Sequence, residues 1–142
     1  MSHSGFMTNT PILAQRYDLY GSVHKGLRRT QCLLLTRLGA NDFTDAAATE
    51  KLLADMKRLL SMAAAHVEHE DREIHAALHE RGIGTGHVDE QHDDHREAFT
   101  IIANKIATVE NTKGAARVEA GRGLYLTFAA YIADDFAHMH EE

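Results

Sequence analysis

Apolar residues recur every three or four positions along nearly the whole chain, which is the period of an amphipathic α-helix. Clusters of glycine, asparagine and aspartate interrupt this period at Gly39–Asp42, Arg81–Gly86 and Asn111–Gly114, and such compositions are typical of helix ends and turns. The helical segments between them are roughly 11–38, 44–80, 87–110 and 115–142. No segment keeps the period-two alternation of a strand. The pattern therefore predicts an all-α protein, an antiparallel up-down-up-down four-helix bundle.

Two residues indicate where helices begin. Pro11, the sole proline, suits the first helical position after Thr10 as cap, because that position needs no backbone N–H donor. Thr44 is the expected cap of the second helix. We expect residues 1–10 to be a flexible N-terminal segment and residues 11–142 to form a single domain, since 142 residues suit one hydrophobic core.

The inward stripes of the four segments also carry ionisable side chains. These are His24 in the first, His66, Glu70 and Glu73 in the second, His92 and His95 in the third, and Asp135, His138 and Glu142 in the fourth. Burying an ionisable group without a partner costs several kcal/mol. Groups placed inward therefore need to satisfy one another, and a metal ion would let them do so.

Two pairs have a spacing that favours metal binding. His66 with Glu70, and His138 with Glu142, are each four residues apart, so on a helix both members lie on one face. Nitrogen and carboxylate ligands suit iron, zinc or manganese, and two carboxylates can bridge two ions. The spacing predicts a dinuclear metal site inside the bundle.

The segments that carry these residues resemble the hemerythrin family, specifically its bacterial cation-binding (HHE) branch. The matching stretches are Tyr17-Asp18-Leu19-Tyr20 with His24-Lys25-Gly26-Leu27, His66-Val67-Glu68-His69-Glu70, Glu90-Gln91-His92-Asp93-Asp94-His95, and His138-Met139-His140-Glu141-Glu142. The resemblance covers the chain from about Tyr17 to Glu142. It implies a hemerythrin-like four-helix bundle around a non-haem di-iron centre that binds oxygen.

The resemblance also implies a set of ligands and a cofactor. The metal ligands would be His24, His66, Glu70, His92, His95, His138 and Glu142, with Glu70 and Glu142 bridging. Each chain would hold two iron ions joined by an oxo or hydroxo bridge, and zinc or manganese can replace iron in the isolated protein. One iron would take three histidines and the other two, which leaves a position for O2 or another small diatomic ligand.

The chain departs from the oxygen carriers of that family in its third and fourth helices. His92 and His95 are three residues apart, where the carriers have four, and Gln91 stands four before His95. Either His92 takes that ligand position, or only one histidine of the third helix binds metal. The fourth helix ends in His-x-x-x-Glu, where the carriers have an aspartate five residues after the histidine.

Four further residues are candidates for hydrogen-bonding to the ligands. Tyr20 lies one turn from His24, and Asp135 lies one turn from His138; either can orient a ligand. His69 and Glu73 form a rival pair, also four apart, off the centre of the stripe. Cys32, the sole cysteine, is expected to be a small buried residue, and it excludes an internal disulfide framework.

The expected function is a cytoplasmic protein that binds or senses O2 or a related small ligand, rather than an enzyme. One alternative is a redox protein that responds to nitric oxide or peroxide, in iron storage or iron-centre repair. A second is a structural or regulatory bundle with a stabilising metal. The net charge of −6 with dispersed basic residues argues against nucleic acid, and no apolar run reaches the ~18 residues of a membrane span. The oligomeric state is left open.

Overall fold

The structure, a computed structural model, describes residues 11–82 and 86–141, and the side chains of residues 23–73, 76–77, 80–82 and 93–137. Within these residues the chain forms helices and turns and no strand. The helices are α1 (Pro11–Ala40), α2 (Ala46–His69), a π-helical segment (Glu70–His75), α3 (Ala76–Glu80), α4 (Gly86–Glu110) and α5 (Gly114–Glu141). Because α2, the π-helical segment and α3 follow without a break, the described chain has four long helical stretches, as predicted.

The helices pack into a bundle. α1 contacts both α2 and α5, and α4 contacts the same two helices, so the four long stretches surround a shared apolar core. The largest fully buried apolar side chains in that core are Leu38, Leu52, Met56, Leu59, Ile102, Ile106, Leu124 and Phe128. None of the described helices combines the length and apolar character that crossing a membrane requires.

The turn between α1 and α2 corrects one prediction. Asp45, not Thr44, caps α2, and its carboxylate accepts a hydrogen bond from the Ala48 backbone N–H at 3.0 Å. Thr44 instead donates its backbone N–H to Asp42 Oδ1 at 2.9 Å and its hydroxyl to the same oxygen. Because this local turn uses the Thr44 side chain, the next residue provides the cap.

The turn between α4 and α5 is closed by a side chain from within α5. Arg117 Nε donates to the Val109 carbonyl at 3.1 Å and to the Thr112 carbonyl at 2.7 Å, so it satisfies backbone acceptors at the end of α4. Gly114 opens α5 with φ +59°, a left-handed conformation that favours glycine.

The inward positions predicted for ionisable residues are confirmed where the structure describes side chains, with one exception. Glu73 is exposed, because each turn of the π-helical segment takes in an extra residue and so rotates later positions away from the core. Cys32 is also exposed, which makes that prediction wrong; it follows the buried Gln31 and lies off the inward stripe.

Candidate metal centre

Three side chains from two helical stretches meet inside the bundle. His24 Nε2 on α1 lies 3.2 Å from His66 Nε2 on α2, and His66 Nε2 lies 2.6 Å from Glu70 Oε1. One ligand atom from each residue lies within 4.8 Å of the others. His24 is 3% exposed and Glu70 is fully buried, so the cluster is built into the core rather than on the surface.

The distance between the two histidine nitrogens matches the spacing of two ligands around one metal ion. Metal–nitrogen bonds to histidine are about 2.0–2.1 Å, so two ligands at right angles or tetrahedral angles lie about 2.8–3.4 Å apart. The 3.2 Å between the two Nε2 atoms falls in that range. With a cation between them, the imidazole lone pairs and the carboxylate oxygen would all be satisfied at once. The arrangement can therefore bind a divalent cation through two nitrogens and an oxygen.

The local structure explains why Glu70 faces inward and Glu73 does not. His66 and Glu70 are separated by one regular α-helical turn, which places them on the same face. The π-helical segment begins at Glu70, and the register shifts from there. Short π-helical insertions occur frequently at functional sites, and this one starts at the buried carboxylate.

A second pair of ionisable residues comes from the other two long helices. His95 on α4 and Asp135 on α5 are 5% and 6% exposed, and His95 Nδ1 lies 3.6 Å from Asp135 Oδ1. Both residues line a cavity that His66 and Glu70 also line. The cavity holds about 10 Å³, which is roughly the room for one water molecule. All four helical stretches thus contribute ionisable side chains to one region.

Gln31 and Tyr131 complete this region, and the sequence analysis did not single them out as functional. Gln31 Nε2 donates to Asp135 Oδ2 at 2.7 Å and to the Tyr131 hydroxyl at 3.4 Å. Gln31 is fully buried. The available signal was an amide on the inward stripe of α1, two helical turns after His24.

The Tyr131 hydroxyl remains protonated at neutral pH. Burial raises the pKa of Tyr131 well above its ordinary value, the negative charge of Asp135 raises it further, and the hydrogen bond from Gln31 opposes the shift. The ring packs edge-on against His95 with centroids 5.7 Å apart and against Phe99 at 5.5 Å. These aromatic contacts form an apolar wall beside the cavity.

An ion pair joins the chain neighbours of the site residues. Arg96, next to His95, pairs with Asp71, next to Glu70, and with Asp93 at 2.8 Å. The hydrogen bond that Arg96 donates to Asp71 is the main reason that the pKa of Arg96 is raised, while burial opposes the shift. This pair attaches the π-helical segment to α4 beside the cavity.

The structure places the predicted site residues in three groups. His24, His66, Glu70, His95 and Asp135 lie at the cluster or the cavity. His69 and Glu73 lie on the exposed surface, away from both. The remaining predicted residues, Tyr20, His92, His138 and Glu142, lie outside the part of the chain whose side chains are described.

Comparisons with known proteins do not place the chain in a family. No family model, curated protein or solved structure matches it. A metal centre in this protein is therefore supported by the chain's own residues: the buried His24 and Glu70 with the half-buried His66, and the His95–Asp135 pair across the cavity.

Proposed function

We propose that the chain is a hemerythrin-like four-helix bundle that holds two iron ions and binds or senses O2 or a related small ligand. The observation that carries the proposal is the convergence of the buried His24 and Glu70 with the half-buried His66, whose ligand atoms lie within 4.8 Å of one another. Two imidazoles and a carboxylate are a ligand set that iron accepts readily.

Pairs of contacts along the helices support the antiparallel order that this proposal needs. Between α1 and α2, Arg37 contacts Asp55 and His24 contacts His66. The residue number of the partner on α2 therefore increases as the residue number on α1 decreases. The second stretch and α4 are related in the same way. Lys57 contacts Glu110, while Asp71, later in the second stretch, contacts Arg96, earlier in α4. Opposite numbering of this kind is the pattern of an up-down-up-down bundle.

The described residues fit the two metal positions unequally. His24, His66 and Glu70 would hold the first ion. Glu70 and His95 line the same cavity, which supports a second ion that would share the Glu70 carboxylate. By the resemblance, that ion would also take His138, Glu142 and either or both of His92 and His95. Iron bound there would supply the redox chemistry for reversible O2 binding.

The side chains around the cavity would protect such a centre. Leu27, Val67 and Phe99 line the cavity with apolar surface, and the cavity's small size limits the entry of water. The protonated Tyr131 hydroxyl lines the same cavity, where it is a hydrogen-bond donor for a polar ligand.

Metal analysis after anaerobic reconstitution with Fe²⁺ tests the proposal. We expect about two iron ions per chain in the wild-type protein and a visible absorption change on exposure to air. His66→Ala and Glu70→Gln should each lower the iron content. His69→Ala and Glu73→Gln are matched controls on the same helical stretch, since both side chains are exposed, and they should retain wild-type iron. A wild-type protein that binds no iron, or site variants that bind as much as the controls, would contradict the proposal.

A single stabilising metal ion is the second candidate function. Among the residues with described side chains, the group that can hold one ion contains three ligands, the protein ligand count of zinc sites that leave one coordination position to water or another ligand. This candidate predicts one metal per chain, a higher melting temperature with Zn²⁺, and no absorption change when the reduced, iron-reconstituted protein meets air.

A further inference from the structure

A chain of polar contacts crosses the core from α1 to α5 to α4. The Gln31 amide donates to Asp135 Oδ2 at 2.7 Å, and the other carboxylate oxygen, Oδ1, lies 3.6 Å from His95 Nδ1. All three residues are at most 6% exposed. Each therefore interacts with the others in a medium of low polarity, where electrostatic orientation is strong.

The neighbours of Gln31 determine the orientation of its amide. The NH2 group faces the Asp135 carboxylate and the Tyr131 hydroxyl oxygen. Rotating the amide by half a turn would place its carbonyl oxygen against a carboxylate oxygen, and two acceptors in contact repel. Gln31 Oε1 has no hydrogen-bond partner among the residues whose side chains are described. A buried acceptor without a partner is unfavourable, so packing alone does not explain an amide at this position.

The Asp135 carboxylate favours one of the two neutral forms of the His95 ring. With the proton on Nδ1, an N–H dipole points at the carboxylate. With the proton on Nε2, the Nδ1 lone pair points at it and is repelled. The separation of 3.6 Å is longer than a hydrogen bond, yet the sign of the interaction is the same at that distance. Carboxylates select the tautomer of metal-binding histidines in this way.

We propose that Gln31 and Asp135 are positioning residues that hold His95 with its proton on Nδ1, so that Nε2 keeps the lone pair that a metal ion requires. The tautomer part of this inference stands on the contacts alone. Its consequence for metal binding rests on the proposed function, in which His95 is a ligand of the second ion.

The histidine ¹⁵N chemical shifts of the metal-free full-length protein test the tautomer. At about pH 8, above the ordinary histidine pKa of about 6.5, His95 should show protonated Nδ1 and unprotonated Nε2. The signals are assigned by their loss in His95→Gln. Because this spectrum needs no variant of Gln31 or Asp135, the test holds even if those variants fold poorly. Protonated Nε2 on His95, alone or together with protonated Nδ1, would overturn the proposal.

Replacing Asp135 should reverse the tautomer. In Asp135→Asn, Gln31 still donates to the amide oxygen, so the new NH2 group faces His95 and favours an Nδ1 lone pair. Asp134→Asn is the matched control, because Asp134 is exposed on the same helix, and it should leave the shifts unchanged. Asp135→Glu restores a carboxylate and should keep the Nδ1 proton. Gln31→Met removes the donor to Asp135 at similar volume but keeps the carboxylate, so the preference for the Nδ1 proton should weaken without reversing. An unchanged His95 tautomer in Asp135→Asn would contradict the proposal.

Metal titration separates this inference from the proposed function. With Fe²⁺ under anaerobic conditions, Asp135→Asn should weaken the second metal by about 10–100-fold, the usual effect of losing such a partner, while Asp134→Asn should not. If wild-type His95 has the expected tautomer but the protein takes up no second ion, the positioning of His95 stands and the di-iron proposal fails. If Asp135→Asn loses the second ion while its His95 tautomer is unchanged, Asp135 acts as a direct ligand and the positioning role is wrong.

Discussion

The two ends of the bundle bury different kinds of side chain. The loop end, residues 37–58 and 109–124, has a core of apolar side chains such as Leu38, Leu53 and Val109. The site end contains His24, His66, Glu70, His95 and Asp135, all but one of them buried. Since apolar burial stabilises a fold without a ligand, the loop end should be stable by itself, whereas the stability of the site end should depend on a cation.

The same contrast appears in the hydrogen bonds. In the two turns of the loop end the partners are near in sequence, as in Asp45 with Ala48 and Arg117 with Val109. Across the core at the site end they are distant, with sequence separations of 104 for Gln31 and Asp135 and 42 for His24 and His66. The complete site therefore exists only when the whole bundle is assembled, because the first hairpin carries His24, His66 and Glu70 while His95 and Asp135 come from α4 and α5.

The largest expected effect comes from the apolar core, whose contribution to the free energy of unfolding should not depend on metal. Leu52 is 2% exposed, so Leu52→Ala should lower the free energy of unfolding by about 2–5 kcal/mol. Urea unfolding with and without bound metal should give the same loss. Leu126→Ala is the control, because Leu126 is 54% exposed, and its effect should stay within about 0.5 kcal/mol. A loss at Leu52 that depended on metal would mean that the two ends are not energetically separate.

The second effect belongs to the site end. A cation that binds the folded state alone, at a free concentration 100 times its Kd, raises the free energy of unfolding by about 2.7 kcal/mol. We expect this gain from Fe²⁺ in the wild-type protein, measured anaerobically by thermal unfolding, and no more than a fraction of it in His66→Ala. His69→Ala should keep the full gain, because its side chain is exposed. Equal gains in both variants would indicate binding elsewhere on the protein.

A close contact between the α1–α2 turn and α5 gives the third effect. A Cβ placed on Gly121 would lie 2.6 Å from the Phe43 ring, so Gly121→Ala must displace a buried aromatic side chain and should cost about 1–3 kcal/mol. Gly123→Ala, two residues along α5, meets nothing within 4 Å and should instead stabilise the helix by about 0.5–1 kcal/mol. The two variants should shift the urea midpoint in opposite directions, and this difference separates the contact with Phe43 from the effect of helix propensity. The Fe²⁺-dependent gain should be unaffected by either variant.

The loop end could be predicted from sequence to within a residue or two, and the site end only in part. Helix boundaries follow local chemistry, so the breaks near Gly39, Arg81 and Asn111 agree with the observed helix ends. The exception, Asp45 in place of Thr44, arose because two adjacent residues could both cap and a side-chain contact with Asp42 decided between them.

At the site end, helical periodicity placed His24, His66 and Glu70 on inward faces, and the structure brings them together. Helical periodicity did not predict that positions after Glu70 would rotate away from the core, because the π-helical segment has no sequence signal comparable to a cap or a proline. It also gave no reason to connect Gln31 with Asp135, since pairing across 104 residues depends on the packing of α1 against α5. Long-range partners of this kind are set by tertiary structure and not by local spacing.

The smallest effect concerns surface charge at the loop end, which should respond to acid and not to metal. Hydrogen bonds from Arg37 and then Arg58 hold the pKa of Asp55 below its ordinary value of 3.8. Because the folded state favours the ionised form, Asp55 stabilises the fold above about pH 4, and this contribution is lost as the pH falls through the lowered pKa. Asp55→Asn should therefore lower the urea midpoint slightly at pH 6, and the difference from wild type should shrink toward pH 3. In an Arg37→Gln background the same substitution should have less effect, since its main partner is already gone. If the Asp55→Asn difference instead grew toward pH 3, or changed when Fe²⁺ was added, the surface of the loop end would not be independent of the site.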